Sequence, residues 1–366
     1  MNIGLVIYGT LDSLTGGYLY DKQIIESLRD AGHEVHIFSQ KQRPYPWNIF
    51  HNWDRNFREK IAEANLDILL EDELNHPSLF AMNKQIRRQY RIPIIGIVHA
   101  LRCRSPLSPL SKKFAEMLER KYLNSLDGYI AVSNYIRKHV NALTNSPKMN
   151  IVAYPAGDRF GESVTEEEIR KKTEKADPFQ LLFVGNIRPN KNLLGVLRAL
   201  ASMELNNAHL TVIGNMNSEA SYTREVRQFI ANHNLDSQVT FAGQITEPDS
   251  IAEYYRNAHL LVLPSYSEGF PLVHAEAAGF GVPSIATSKS GAGEFIDHGV
   301  SGYVVEPEDA TAIRTFIEKL MRDKQLYKSM SIAALQRYRA HPSWQETGKT
   351  VLNFLNQFAP GEKTHG

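Results

Sequence analysis

Apolar residues in this chain gather in short unbroken runs, separated by longer stretches in which they recur every three or four positions. Unbroken runs suit strands buried on both faces of a parallel sheet, and the periodic stretches suit helices covering those faces. Residues 3–8 predict a first strand, residues 21–30 a helix halted at Ala31-Gly32, and residues 35–38 the next strand, together one βαβ unit. Further strands are expected at 68–70, 93–99, 129–132 and 150–153, and a second series at 180–185, 210–214, 239–241, 259–263 and 284–286. The fold class is therefore α/β, with two Rossmann-like, doubly wound domains in tandem.

Between the two series, the charged stretch 162–178 (ESVTEEEIRKKTEKADP) is poor in large apolar groups and reads as a linker. The division is then an N-terminal domain over 1–160, a linker over 161–178 and a C-terminal domain over 179–342. Residues 343–358 form an amphipathic helical pattern with no strand after it. That helix is expected to return to the first domain.

Composition narrows the class without naming a function. The 366 residues exceed what one hydrophobic core holds, and 42% hydrophobic with 22% charged positions excludes a disordered chain, a collagen or a disulfide scaffold. Cys103 is the single cysteine, and the start at Met1-Asn2-Ile3 lacks the basic and small-residue features of a signal peptide, so a cytoplasmic location is expected. The apolar run at 92–98, broken by Pro93 and Gly96, is too short to span a membrane.

Charge changes the picture more than composition does. The net +1 hides 20 Lys+Arg against 15 Asp+Glu in residues 1–150, and 21 against 25 in the remainder. Residues 77–121 concentrate ten cations with two anions, and residues 43–53 add two of the three tryptophans. Two readings stay open: a face for an anionic membrane or acceptor at the inner side of the membrane, or solvated helix faces with core aromatics. The balanced total argues against nucleic acid as a partner.

The segment 261–276 (LVLPSYSEGFPLVHAE) carries the densest chemistry. A strand leads into a loop with Glu268-Gly269-Phe270, and Pro271 and Leu272 open a helix whose free N–H groups form an anion site, with Gly269 allowing close approach. Glu276 lies some five residues into that helix, so the two carboxylates stand about 8–10 Å apart at 1.5 Å per residue. That spacing suits a nucleotide sugar, with a hydroxylated ring at each end and phosphates between. A helix cap and a solvated helix residue would produce the same pair.

These residues, with Gly16-Gly17 after the first strand, His99 at a strand end, DGYIAVS at 127–133, VGNIRPNKN at 184–192, VTFAG at 239–243 and GYVV at 302–305, resemble the family 4 glycosyltransferases. The resemblance runs in order along nearly the whole chain. It implies the GT-B fold, two such domains facing a central cleft, and retaining transfer of a hexose from a nucleotide-diphosphate sugar to a hydroxyl of a glycan, lipid or small molecule. It further implies that Glu268 binds the transferred sugar beside the Gly269-Phe270-Pro271 backbone, that Glu276 binds the ribose hydroxyls, and that Gly243, Gln244 and Ile245 approach the base. Gly16 and Gly17 would contact the donor phosphates, and His99 the donor sugar.

Cleaving such a donor leaves negative charge on the diphosphate, and without a metal the enzyme needs fixed cations there. Lys191 and Arg188 are the candidates, although the family pattern places an arginine directly after the glycine, where this chain has Asn186. His33, His76 and His139 show no metal-ligand spacing and no Asp-x-Asp stands in a suitable loop, so no metal or other cofactor is expected beyond a UDP- or GDP-sugar donor. A nucleotide-sugar epimerase, or a degenerate homologue acting as nucleotide-binding scaffold, remains the alternative.

Overall fold

The computed structural model describes residues 1–11, 15–161, 163–205 and 207–359. It divides into two compact units, one of Met1–Pro155 with Trp344–Gly366 and one of Ala156–Ser343.

The first unit holds β1 (Asn2–Tyr8), β2 (Glu34–Gln40), β3 (Ile68–Asp72), β4 (Ile94–Val98), β5 (Gly128–Ala131) and β6 (Met149–Val152) in the parallel order β2-β1-β3-β4-β5-β6. β3, β4 and β5 are buried along their whole length, which explains the unbroken apolar runs. The order reverses between β1 and β3, and ligands of such sheets bind beyond the carboxyl ends of strands at that reversal.

The second unit repeats the plan with β7 (Phe179–Val184), β8 (Ala208–Ile213), β9 (Val239–Gly243), β10 (Leu260–Leu263), β11 (Ser284–Thr287) and β12 (Gly302–Val305), ordered β12-β11-β10-β7-β8-β9. Its reversal lies between β7 and β10. Its core gathers Phe183, Ile187, Leu210, Val262 and Ile285 between the sheet and the helix Leu193–Ala201.

The stretch 161–178 is not a linker. Glu162 lies outside the described residues, but Glu166–Glu174 is a helix opened by a capping box in which Thr165 and Glu168 satisfy each other's backbone N–H groups. Ile169 and Thr173 are buried in the second unit, which already begins at Ala156. Composition misread it because one apolar residue per two turns suffices to seat a helix whose other faces meet water.

The helix Trp344–Leu355 belongs to the first unit, where it lies against Gly16–Asp30. Trp344 meets Tyr20 edge to face at 5.7 Å, and Thr347 Oγ1 donates to the Tyr154 carbonyl at 2.8 Å.

Candidate active site

In the second unit the loops after β7 and β10 come together at the sheet reversal. Lys191 Nζ contacts Glu268 Oε1 at 2.6 Å, with both side chains partly open to solvent. Asparagines fix this meeting. Asn192 takes a left-handed conformation, φ 58°, caps the helix Leu193–Ala201 through the Gly195 N–H, and donates its amide to the carbonyls of Pro264 and Pro307 at 3.1 and 2.6 Å. Asn190 donates to the Ser267 carbonyl at 2.9 Å and its own carbonyl receives the Tyr266 N–H at 2.8 Å. The loop bearing the cation is thereby tied to the loop bearing the carboxylate.

The helix Leu272–Gly279 starts directly after Pro271. Gly269 is pinned by the Gly291 N–H to its carbonyl at 2.9 Å, and Phe270 stacks on His341 with ring centroids 5.5 Å apart. Pro271 and Leu272 are buried at the helix start.

Glu276 is not a solvated helix residue. It is buried, with Oε1 accepting from Arg159 Nε at 2.6 Å and Oε2 from Tyr255 Oη at 2.8 Å. Gly157 makes this possible, since a Cβ there would lie 2.6 Å from the Ala275 carbonyl. Arg159 and Tyr255 escaped the sequence reading, because Arg159 lies 117 positions from its partner and no local periodicity links them.

Arg188 is exposed and its carbonyl accepts the Lys191 N–H at 3.0 Å, three residues before the cation that meets Glu268. Asn186, at the family's usual arginine position, instead accepts the Asn215 N–H at 3.2 Å. Gly243 ends β9 with φ 75° and its carbonyl receives the Gly214 N–H at 2.8 Å, so Gln244 and Ile245 follow at the sheet's carboxyl edge. Sequence reasoning also passed over His274. This residue is buried two positions before Glu276, both ring nitrogens lack a hydrogen-bond partner among the described residues, and burial, reinforced by the Lys191 charge, pushes its imidazole down to about 3.

In the first unit, His99 follows β4 and its Nε2 meets Asp21 Oδ1 at 2.9 Å. Gly17 abuts the imidazole, so that a Cβ there would lie 3.3 Å from the ring. Gly16 opens the helix that carries Asp21. Burial alone would lower the His99 imidazolium, but the Asp21 carboxylate, with Asp72 and Glu73 beyond it, raises it to about 9. Burial in turn pushes Glu73 up to about 8 and Asp72 well above the carboxylate range.

Asp21, Asp72 and His99 offer ligand atoms within 4.8 Å of one another, as do Glu73, His76 and Glu119, although His76 showed no ligand spacing in sequence. In the second group the Glu119 carboxylate already accepts the N–H groups of Arg102 and Cys103, and His76 is bonded to the Glu73 carbonyl and Tyr45 Oη. That group is a buried polar network tying Arg102–Arg104 to the helix Pro109–Leu123.

Residues 164–337 match the family described as Glycosyl transferases group 1, and residues 20–157 match Glycosyltransferase Family 4. The chain belongs to the family 4-like glycosyltransferases. This glycosyltransferase is 25% identical over 358 residues to N-acetyl-alpha-D-glucosaminyl L-malate synthase of Bacillus anthracis, covering 90% of each chain. The sucrose-phosphate synthase of Thermosynechococcus elongatus superposes with a TM-score of 0.81 at 20% identity, over 97% of this chain and 98% of that one. Anabaena HepE, solved in complex with UDP-glucose, gives 0.75 at 17% identity over 98% and 100%. These likenesses show the GT-B fold, built here from the two parallel six-stranded sheets.

Proposed function

We propose that this glycosyltransferase moves a hexose, with retention, from a nucleotide-diphosphate sugar to an acceptor hydroxyl, without a metal. The Lys191–Glu268 contact at the β7/β10 reversal carries this reading. A cation there neutralises charge developing on the departing diphosphate, and the carboxylate beside it binds the sugar undergoing transfer. The N-terminus of Leu272–Gly279, which has no side-chain cap among the described residues, adds its backbone N–H groups to the same anion site.

UDP-glucose in the HepE complex supports a UDP-sugar as donor, with a GDP-sugar as the alternative. The acceptor is a glycan, lipid or small molecule, and in the first unit His99, held by Asp21, offers a fixed imidazolium beyond the carboxyl end of β4 as a sugar-binding group. Glu276 takes the ribose by exchanging its Arg159 or Tyr255 bond for hydroxyl donors.

Contact with an anionic membrane from the cytoplasmic side fits the same reading. Trp47, Phe50, Trp53 and Leu110 of the first unit are 57–82% exposed, and Lys112 and Lys113 accompany Leu110 on its helix. No helix among the described residues is long and apolar enough to cross a membrane.

The deciding experiment incubates the full chain with UDP- and GDP-sugars plus candidate acceptors in EDTA, and reads the anomeric configuration of the product by NMR. An α-linked product from an α-donor is expected; an inverted product, or turnover only with added metal, overturns the mechanism. A changed sugar with no acceptor present would identify an epimerase, and silence across all donors a scaffold.

A further inference from the structure

The second unit contains a cavity of about 580 Å³ at the opposite end of the Leu272–Gly279 helix from Glu268. The helix Glu166–Glu174, the start of β7 and the end of the helix Pro248–Asn257 line it, and it opens to solvent. Nothing in the transfer chemistry uses this space.

Its charged lining is uneven. Lys171, Lys172, Lys175 and Arg256 face Glu168 and Asp177. The two carboxylates are engaged elsewhere: Glu168 accepts from Thr165 N and Oγ1, and Asp177 accepts from the Asn207 amide. Among the described residues, Lys172, Lys175 and Arg256 have no carboxylate within ion-pair distance. Lys172 is the innermost, its Nζ donating to the Phe280 carbonyl at 3.0 Å, at the C-terminal cap of the Leu272–Gly279 helix. His259 lies beside it, with Nδ1 accepting the Gln180 N–H at 2.8 Å. Val164, Ile169, Pro178 and Phe280 supply an apolar wall.

A partly buried ammonium whose contact is one neutral carbonyl is a costly arrangement that favours the neutral, nucleophilic amine. Burial accordingly pushes Lys172 down to about 7, and burial with the Lys172 charge lowers His259 to about 4. Two flexible cations at the rim and an apolar wall describe the complement of a molecule with an anionic group and a flat apolar body.

We propose that this cavity is a second ligand site, separate from the donor site, for a small organic phosphate carrying an aromatic or other apolar ring. Lys175 and Arg256 take the phosphate, the apolar wall takes the ring, and Lys172 faces the ring's polar substituent. The proposal stands apart from the reaction proposed above and is tested without turnover.

Pyridoxal 5′-phosphate is a suitable probe, because it joins a phosphate and an aromatic ring to an aldehyde. The Lys172 amine adds to the aldehyde carbon and water leaves, giving an imine that borohydride reduces to a stable secondary amine. Peptide mapping of the labelled full chain is expected to find Lys172 as the main site, with millimolar inorganic phosphate slowing its labelling. Lys175→Glu combined with Arg256→Glu, both at exposed positions, should slow it about tenfold, as expected for losing a charge-assisted bond, with the circular dichroism spectrum unchanged. Labelling spread evenly over surface lysines, labelling centred on Lys191, or a Lys172 rate indifferent to both phosphate and the double variant would each overturn the proposal.

Discussion

The two units bury ionisable groups in opposite ways. The first packs Asp21, Asp72 and Glu73 around a histidine, so that His99 is held as an imidazolium near 9, while burial pushes Glu73 and, outside that cluster, Glu71 up to about 8. The second buries bases without an acid beside them, leaving Lys172 near 7, His259 near 4 and His274 near 3. Carboxylates beside a buried base strengthen its hold on the proton, and burial raises the carboxyls despite the imidazolium, whereas an isolated buried base loses its proton to escape the low-dielectric interior. Both sheets set their site at a strand-order reversal, yet one offers a fixed charge cluster and the other an open ion pair.

The largest expected effect removes the open pair. Lys191→Ala or Glu268→Ala should each lower kcat by about 10³-fold, the scale seen when one group stabilising developing charge is lost. Their melting temperatures should stay near the parent's, since the pair is solvent-accessible and worth little to folding. Full turnover in either variant would remove the pair from the mechanism.

Next comes the asparagine that aligns the pair. Asn192→Ala loses a helix cap and two carbonyl bonds in a left-handed position and should cost about 2–4 kcal/mol in urea unfolding. Asn192→Gly relieves the backbone strain alone and should recover about 1 kcal/mol of that loss.

Asp21→Asn tests the cluster in the first unit. It should return His99 toward the ordinary imidazole range near 6.5 and lower kcat/KM by about tenfold, with the loss growing from pH 7 to 9. A uniform loss at all pH values would indicate a packing defect rather than a changed proton affinity.

The contrast also predicts opposite pH slopes of stability. His99 and the two glutamates bind protons more tightly folded than unfolded, so the first unit should lose stability as pH rises from about 4.5 through 9. His259 and His274 hold protons less tightly when folded, as does Lys172, so the second unit should gain from about pH 3 to 6.5, and again from 7 to about 10. All three tryptophans, Trp47, Trp53 and Trp344, lie in the first unit, so their fluorescence reports that unit alone; hydrogen exchange of β7–β12 reports the other. Parallel slopes would show that the burial contrast does not govern proton binding.

The smallest effect concerns the exposed basic and apolar face. Lys112→Glu with Lys113→Glu should weaken co-sedimentation with anionic vesicles by about 1 kcal/mol per charge removed. Binding unchanged by this reversal and by added salt would discount membrane contact.

Legibility in the sequence followed range. The strands were readable because β1, β3, β4 and β5 are buried runs whose neighbours in the chain share their fate. The Glu166–Glu174 helix was missed, because a single seated face leaves a composition like that of a linker. At the site, Glu268 and Lys191 stood out through their own loops. The partners of Glu276 and His99 did not, since Arg159 lies 117 positions from one and Asp21 lies 78 from the other.

By itself the sequence determined the α/β alternation, the pairing of two doubly wound sheets and the order of the motif loops, because local burial and turn chemistry act over a few residues. Tertiary structure alone decided which carboxylates share a buried cluster, which cation meets Glu268, and that Lys172 borders a cavity. Those outcomes depend on packing between distant segments, where desolvation and Coulomb energy follow distance in space and leave no periodic trace along the chain.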